Sequence, residues 1–516
     1  MQSEAVIDEL LQWFLALGAT DEEVLLGLLD DDGDASSMLK FYTVLIPLLN
    51  HPNSDIGNDV VAVLHELFYE EEAFVDGDFV RCLAQIARRC MVQADLFGLF
   101  YVHLNNLMAL EARADMDDYQ AVYQIMQIIE SLLEMNSFLS DEQFTVSFYA
   151  KLEQSMLIAL FASLMKQDPK AVAEQPFSAT MPPADYANRL FATELTSTLV
   201  QVTTMDLASD SGQVASAAAS LLRHATEAVA MIELVLVSVS PYHGRDPSDS
   251  DEQEYLFNLF DILGALLLKF PPARQSFIDK LCQGFELMLL MLKGLNIARI
   301  RAIQLVDYAL AGGEESVAVK FMDVGGIKLL GPILMGKGSA ALLKSYPKLV
   351  KSPDQDETHA CSILASLFNF IPKNSTAYFR LLAKFAESSG DKFLRLVELH
   401  EKYEQKVALF NKLHDRPVDG TDDTEWVLDV LNSGMFTLQA VDTCLLMLTH
   451  SQNLWDSIPK DDIDDELVAA VKHEASARFI LDSKVSDQVN ANVRFMLSHS
   501  PKGAPHLELL RQFSDK

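Results

Sequence analysis

Apolar residues recur at helical spacing along almost the whole chain, and this periodicity constrains the fold more than any other feature of the sequence. The first clear case lies at residues 55–68. Its apolar stripe follows the i, i+4, i+7, i+8 spacing of an amphipathic helix: Ile56, Val60, Val63, Leu64 and Leu67. No stretch alternates convincingly as a strand, and 235–240 comes nearest. The sequence therefore predicts an all-α chain.

Length then limits how these helices can be arranged. The chain has 516 residues, whereas one hydrophobic core stops growing at roughly 250–300 residues. A helical chain of this length forms either several domains or a solenoid, in which each repeat contacts only its neighbours. The turn-rich segments are short and leave no long linker, so we expect one continuous body.

Several helices share an ending, and this ending suggests a repeat. It consists of Leu or Ile, any residue, a polar or small residue, and an apolar residue. The residues at the third position of this ending are Glu66, Ser131, Thr198, Ala265, Asp307 and Asn369, of which Thr198 is a looser match. The step from Ala265 to Asp307, 42 residues, is the only one that matches the length of a repeat without insertions, ~40–47 residues. We predict degenerate armadillo-type repeats over 41–390, a helical cap over 1–40 and a C-terminal helical region over 391–516.

The charge of the chain is strongly negative and uneven. The sequence holds 40 basic and 74 acidic residues, a net charge of −34, and residues 1–80 contribute 18 acidic residues against one lysine. Such a body repels nucleic-acid phosphates, so direct DNA or RNA binding is disfavoured. A solvated acidic surface that aids solubility is one interpretation; a docking surface for a basic protein segment is the other.

Signals for export or catalysis are absent from the sequence. The five cysteines are scattered in apolar helical contexts without C-x-x-C spacing, which indicates buried, reduced thiols and a nuclear or cytosolic compartment. We expect no secretory signal and no membrane span. There is no P-loop, no G-x-G-x-x-G and no G-x-S-x-G motif, and the His-Glu pairs at 65, 400 and 473 never extend to H-E-x-x-H. We predict a protein that is not an enzyme and needs no cofactor or metal.

A series of short stretches resembles a known family. They occur in family order from about residue 40 to 445, and the matches are fairly specific only when taken together: 48–56, 59–67, 251–254, 258–261, 300–311, 321–326, 361–367, 394–403 and 428–438. On these stretches the chain is identified as a divergent member of the beta-catenin-like protein 1 family of armadillo-repeat nuclear proteins associated with the spliceosome. The block 140–235 and the last ~70 residues match little.

The resemblance implies a fold and a role. Its fold is a right-handed α-solenoid whose third helices line a concave face. Its role is that of a scaffold in pre-mRNA splicing, located in the nucleus, that docks basic, nuclear-localisation-signal-like segments of splicing factors. A Myb-type component of the Prp-nineteen complex and a tri-snRNP assembly protein are the partners that it implies. Self-association as a homodimer stays open, and neither nucleic acid nor membrane is expected as a partner.

The repeat register nominates the residues of such a groove. A basic segment needs an array of carboxylates and acceptor amides, because one exposed ion pair contributes only ~0–1 kcal/mol. The positions at the shared ending, or one turn before it, give Glu66, Glu194, Asp261, Asp307 and Asn369. Each could instead be an ordinary solvated helix residue.

An importin-like cargo adaptor for nuclear transport is the alternative function. Conventional import receptors repeat a Trp-x-x-x-Asn pair, in which the tryptophan packs on lysine stems. Here Trp13, Trp426 and Trp455 all lack an asparagine four residues later. The sequence therefore favours the splicing scaffold over the import adaptor.

Overall fold

The computed structural model describes residues 2–18, 44–69, 77–109, 116–166, 183–350, 352, 354–414, 424–451, 465–498 and 507–514. Throughout these ranges the regular structure is helical, and no strand occurs in them. The prediction of an all-α chain is therefore confirmed. The contacts divide the chain into two compact units, Met1–Ser276 and Phe277–Lys516. The boundaries predicted at residues 40 and 390 stay a prediction.

The first unit is built from helices of 8 to 24 residues, and the last of them extends two residues past Ser276. Their bounds are α1 Gln2–Gly18, α2 Ser54–Phe68, α3 Gly77–Gln93, α4 Leu96–Ala109, α5 Met116–Leu139, α6 Glu142–Gln154, α7 Leu157–Met165, α8 Pro183–Asp206, α9 Gly212–Arg223, α10 Met231–Val239, α11 Ser250–Lys269 and α12 Pro271–Ile278. The predicted strand candidate at 235–240 belongs to α10 and the 3₁₀ turn that follows it.

The described residues of the second unit also form helices. Its helices are α13 Gly284–Leu292, α14 Ile297–Ala311, α15 Glu315–Asp323, α16 Gly326–Leu334, α17 Ser339–Ser345, α18 Gln355–Phe370, α19 Thr376–Ala386, α20 Asp391–Leu413, α21 Thr424–Val430, α22 Phe436–Thr449, α23 Asp465–Arg478, α24 Ser483–Ser498 and α25 Glu508–Ser514. In the described part of the chain no single helix has both the length and the apolarity to cross a membrane, although three sharply bent helix pairs meet these two criteria together.

Helix α2 shows how the sequence sets a helix and its packing. Asn53 caps the helix, since its side chain accepts a hydrogen bond from the backbone N–H of Asp55. The predicted apolar stripe is buried as expected, with exposures of 0–7%. Full burial of such side chains stabilises the fold by about 1.5–3 kcal/mol each.

Polar contacts then fix α2 against α4 and α5. The Nε2–H of His103 donates to Asn58 Oδ1 (2.9 Å), and Asn58 Nδ2 donates to Asp118 Oδ1 (3.0 Å). Burial lowers the pKa of His103 to about 4, which keeps the ring neutral. The ring lies so close to α2 that a Cβ at Gly57 would meet it at 2.3 Å, so a larger residue would push the helices apart.

In each unit, one set of helices packs in chain order, each against the next. We call them the ladder helices: α2, α5, α8 and α11 in the first unit, and α14, α18 and α22 in the second. Six of the seven carry the shared ending that nominated repeat helices in the sequence, with α8 as the looser match at Thr198. The ladder helices therefore place the equivalent positions of neighbouring repeats side by side within a unit.

Candidate peptide-binding surface

Three ladder helices of the first unit present carboxylates that lie close together. The acidic face, as we call it, consists of Glu130 and Glu134 on α5, Glu194 on α8, and Asp251 and Glu254 on α11. All are exposed except Glu130, which is half-buried. None of the five is in an ion pair with any residue that the structure describes. Five carboxylates without an ion pair to a described residue make this surface a candidate for binding a cationic ligand.

The charges of the acidic face act on one another across the helices. Burial, and then the negative charges of Glu134 and Glu194, raise the pKa of Glu130 to about 7. Burial by neighbouring side chains and the charge of Glu254 raise the pKa of Glu194 in the same way. An electrostatic chain therefore runs from α5 through α8 to α11, and an incoming positive charge would relieve the repulsion along it.

A cavity of about 230 Å³ opens beside Glu194, Asp251 and Glu254 of the acidic face. Its lining comes from the same three helices and combines carboxylates with aromatic rings: Tyr123, Ala187, Leu190, Phe191, Glu194, Asp251, Glu254, Tyr255 and Asn258. The rings of Tyr123 and Phe191 have their centroids 4.7 Å apart. The hydroxyl of Tyr255 donates to the backbone carbonyl of Met165 (2.9 Å), which fixes that ring from behind.

The start of α11 determines which carboxylates reach this cavity. Asp249 caps the helix by accepting from the backbone N–H of Glu252 (2.8 Å). The Glu252 side chain turns inward and is fully buried, where it accepts from Tyr242 and Ser248 and pairs with Arg245. Asp251 and Glu254, three residues apart on the opposite side, are therefore left facing outward.

On α2, the predicted groove residue Glu66 is exposed, and a polar contact joins its neighbourhood to the next ladder helix. His65 Nε2 lies 3.0 Å from Gln127 Oε1 on α5. The imidazole also stacks on Tyr69, with centroids 4.8 Å apart. Burial lowers the pKa of His65, so the ring is uncharged at neutral pH. The α2–α5 junction thus adds polar and aromatic surface but no positive charge.

On α8 and α11, the predicted residues Glu194 and Asp261 differ in position. Glu194 belongs to the acidic face and lines its cavity. Asp261 is half-buried and lies two turns beyond Glu254 on α11, outside the lining of the cavity. The structure therefore brings one of these two residues into the site and leaves the other at its edge.

In the second unit, Asp307 on α14 is buried, with 6% of its surface exposed. Its Oδ2 lies 2.8 Å from His359 Nδ1 on α18. This carboxylate joins two ladder helices and is not on an open surface, unlike the position that the repeat register gives it. Asn369, on α18, is half-buried, and its Oδ1 has no hydrogen-bond partner among the described residues.

Other carboxylates of the second unit pair with cations. Arg299 bonds Asp356 (3.1 Å), Arg395 bonds Glu357 (2.8 Å), and Lys402 reaches both Glu357 (2.7 Å) and Asp354 (2.8 Å). Among the residues that the structure describes, no group of three or more His, Cys, Asp or Glu side chains could hold a metal ion. The acidic face of the first unit is therefore the better candidate for binding a basic ligand.

The sequence register missed most of the residues that line the cavity, including Tyr123, Asp251 and Glu254, and it also missed Glu130 of the acidic face. The shared ending lies near the C-terminal ends of the ladder helices, whereas the cavity lies nearer the N-terminal ends of α8 and α11. A signal was available: Glu254 precedes Asp261 by seven residues, two helical turns on the same face. Following that face back along α11 would have reached the carboxylates at its start.

The chain matches a model of a protein family. The family is described as "Catenin-beta-like, Arm-motif containing nuclear", and the match covers residues 34–461. The armadillo fold class predicted from the repeats is thereby confirmed. The family described in these words is the one that the sequence resemblance indicated.

Similar curated proteins carry a related name. The chain is 27% identical over 427 residues to human beta-catenin-like protein 1, covering 78% of this chain and 63% of the human protein. The bovine protein gives the same identity and coverage over 420 residues. A fission yeast homolog, from Schizosaccharomyces pombe, is 23% identical over 458 residues, 84% of this chain and 70% of that protein. The alignment thus spans less than two thirds of the length of the mammalian relatives.

The solved structures are less similar to this chain than the curated relatives are. A chain from a study of the interaction between cadherin and beta-catenin aligns over 95% of this chain and 98% of its own length, with 10% identity and a TM-score of 0.31. SYS-1 aligns over 99% and 94%, with 10% identity and a TM-score of 0.25. The assignment to the armadillo class rests on the family match and not on these superpositions.

Proposed function

Because the chain belongs to the catenin-beta-like family of Arm-motif-containing nuclear proteins, we propose that it is a scaffold of pre-mRNA splicing that docks basic segments of splicing factors on the acidic face. It acts in the nucleus and performs no catalysis. Its partners carry lysine- and arginine-rich, nuclear-localisation-signal-like segments, and the Myb-type component of the Prp-nineteen complex is the first to test. The homodimer stays a prediction.

One observation supports the docking surface above all others: the five carboxylates of the acidic face lie together, and none forms an ion pair with a described residue. Each ion pair formed with an exposed carboxylate contributes only ~0–1 kcal/mol, so a useful affinity needs several at once. Glu130, Glu194 and Glu254 repel one another within the free protein. A basic segment would remove that repulsion while it forms its own charge-assisted hydrogen bonds.

A binding experiment on the full chain tests the docking surface. The probe is a fluorescein-labelled synthetic peptide with alternating lysine and glycine residues, and its affinity is measured by anisotropy between 50 and 300 mM salt. We expect the affinity to fall steeply with salt, because the screening length shortens over that range. The variant Glu194→Lys with Glu254→Lys should weaken binding by about tenfold or more at the lowest salt.

A control for this variant is Glu227→Lys with Glu233→Lys, which makes the same charge change at two other exposed positions of the first unit. Equal losses in the two double variants would contradict the site and leave only a general effect of net charge. Purification of the tagged chain from nuclear extract then tests the biological setting. Recovery of splicing factors supports the scaffold, whereas recovery of import receptors or nuclear-pore proteins would support the import adaptor.

A further inference from the structure

We propose that the cavity between α5, α8 and α11 is a pocket for a single arginine side chain. The inference rests on the proposed docking of a basic segment, and it adds which side chain that segment must supply at this point. The remaining carboxylates of the acidic face accept either lysine or arginine. The cavity itself selects between them.

The size and walls of the cavity fit one long side chain. At about 230 Å³ it is smaller than the ~300–1,000 Å³ typical of sites for drug-sized ligands. Tyr123 and Phe191 form an aromatic pair on one side, and the ring of Tyr255 lies fully buried in the lining. Aromatic faces attract a cation through their quadrupole, and this attraction is stronger where water is excluded.

Acceptors are arranged in the same lining. Glu194, Asp251 and Glu254 contribute carboxylates, and Asn258 contributes an amide. The three carboxylates come from two different helices, so a planar donor held between α8 and α11 can bond to both sides at once. Neither Glu194 nor Glu254 forms an ion pair with a described residue, and after burial the charge of Glu254 raises the pKa of Glu194.

These two features together favour arginine over lysine. The guanidinium is planar, stacks on aromatic rings and presents five N–H donors in a fork that matches carboxylates. It is also more weakly hydrated than an ammonium, so it loses less on entering an aromatic cavity. A lysine ammonium has no flat face to lay against Tyr123 or Phe191. A surface made of carboxylates alone would lack this preference.

The test compares two small probes and two peptides on the full chain. The small probes are N-acetyl-arginine amide and N-acetyl-lysine amide, followed by ligand-detected NMR. The peptides are the lysine–glycine peptide and the same peptide with its central lysine replaced by arginine. We expect the arginine peptide to bind about fivefold more tightly at equal charge, and only the arginine amide to show binding in the millimolar range.

Two variants locate the effect. Tyr123→Leu removes an aromatic face and keeps apolar volume, so it should reduce the fivefold preference to less than twofold while the lysine peptide binds as before. Glu254→Gln should weaken the arginine peptide more than the lysine peptide. Glu227→Gln is the control for charge, and it should leave the preference for arginine unchanged. Circular dichroism of each variant establishes that the helices remain folded.

The outcomes separate this inference from the docking proposal. If both peptides bind with a steep salt dependence but equal affinity, the arginine pocket is wrong and the acidic docking face stands. If the arginine amide binds in a Tyr123-dependent way while neither peptide does, the pocket stands and the docking face is wrong. Binding of calcium alone at the cavity, displaced by neither amide, would overturn the arginine assignment, and so would a preference for arginine that survives both Tyr123→Leu and Glu254→Gln.

Discussion

The two units share one arrangement of ladder helices, but they differ in net charge and in whether their carboxylates form ion pairs. The first unit, residues 1–276, holds 13 basic and 42 acidic residues, a net charge of −29, whereas the second holds 27 and 32, a net charge of −5. In the first unit, Glu130, Glu194 and Glu254 lie together, and none of them forms an ion pair with a described residue. In the second, Asp356 and Glu357 are held by arginines.

The ladder itself therefore does not determine what a surface binds. Carboxylates that find partners inside a unit become part of its framework, and removing a partner then costs stability. Carboxylates without partners cost little to replace but leave a field that attracts cations. The comparison can be tested by changing charges in both units and asking whether folding or binding responds.

The largest effect is expected at the buried ion pair of the second unit. Arg299 and Asp356 are 6% and 9% exposed, and the guanidinium also donates to the carbonyl of Lys337. Arg299→Met leaves a buried carboxylate without its cation and should cost about 3–5 kcal/mol of unfolding free energy. Urea unfolding, followed by hydrogen exchange in α14 and α18, measures this loss.

The control for that prediction replaces both partners. Arg299→Met with Asp356→Leu removes the stranded charge and should recover most of the lost stability, since apolar pairs often substitute for buried ion pairs. If Arg299→Met lowers the unfolding free energy by less than about 1 kcal/mol, the pair does not stabilise the second unit, and the contrast between the two units would weaken.

A smaller effect is expected when charge is reversed on the surface of the second unit. Glu398 and Glu401 are exposed on α20, so Glu398→Lys with Glu401→Lys matches the charge change of the double variant on the acidic face. We expect this variant to reduce binding of the lysine–glycine peptide less than threefold, against about tenfold or more for the acidic face. Fluorescence anisotropy at 50 mM salt gives both values. An equal loss of affinity in the two double variants would show that the peptide does not bind to the first unit alone.

The pH should affect binding by a few-fold. With a pKa of about 7, Glu130 is mostly protonated at pH 6 and mostly ionised at pH 8. A cationic segment prefers the ionised form, so affinity should rise by about threefold from pH 6 to pH 8. Burial, and then the negative charges of Glu134 and Glu194, raise this pKa and so set the pH range of the titration.

The variant Glu130→Gln serves as the comparison, because it should bind with almost no change over the same pH range. In the second unit, burial alone would raise the pKa of Asp354, but hydrogen bonds from Lys402 and Lys406 outweigh it and lower that pKa. Asp354 therefore stays ionised from pH 6 to pH 8. An affinity that is flat in the unmodified chain, or that falls as the pH rises, would contradict this role for Glu130.

The smallest effect is expected from neutralising the acidic face. Glu194→Gln with Glu254→Gln relieves repulsion and breaks no ion pair with a described residue, so stability should change by no more than about 0.5 kcal/mol or rise slightly. Thermal unfolding checks this at low salt, where the repulsion is strongest. A loss of more than about 2 kcal/mol would show that the acidic face supports the fold.

Much of the fold could be predicted from the sequence because helical periodicity is local. The stripe from Ile56 to Leu67 is buried as its spacing indicates, and the helices with the shared ending became ladder helices. The cap of α2 could not be predicted as well, since Asn53, Ser54 and Asp55 are all good capping residues and only the backbone geometry selects Asn53.

The candidate site was predicted less completely. Glu194 was found because it lies one turn before a repeat position, and Glu66 is exposed as expected. Asp307 is buried against His359, a contact between residues 52 positions apart that no local pattern contains. Tyr123, Glu130 and Glu254 were missed because the cavity forms where three helices meet, away from the ends that define the repeat.

The sequence by itself determined the helical class, the order of the repeat helices and the concentration of acidic residues in the first unit. These follow from composition and from a 3.6-residue period that each segment carries alone. Tertiary packing determines which carboxylates are neutralised, as Asp356 is by Arg299, and which lie beside an aromatic cavity without an ion pair to a described residue, as Glu194 and Glu254 do. The physical reason is that a charge is satisfied by whatever packs against it, and that neighbour comes from a distant part of the chain.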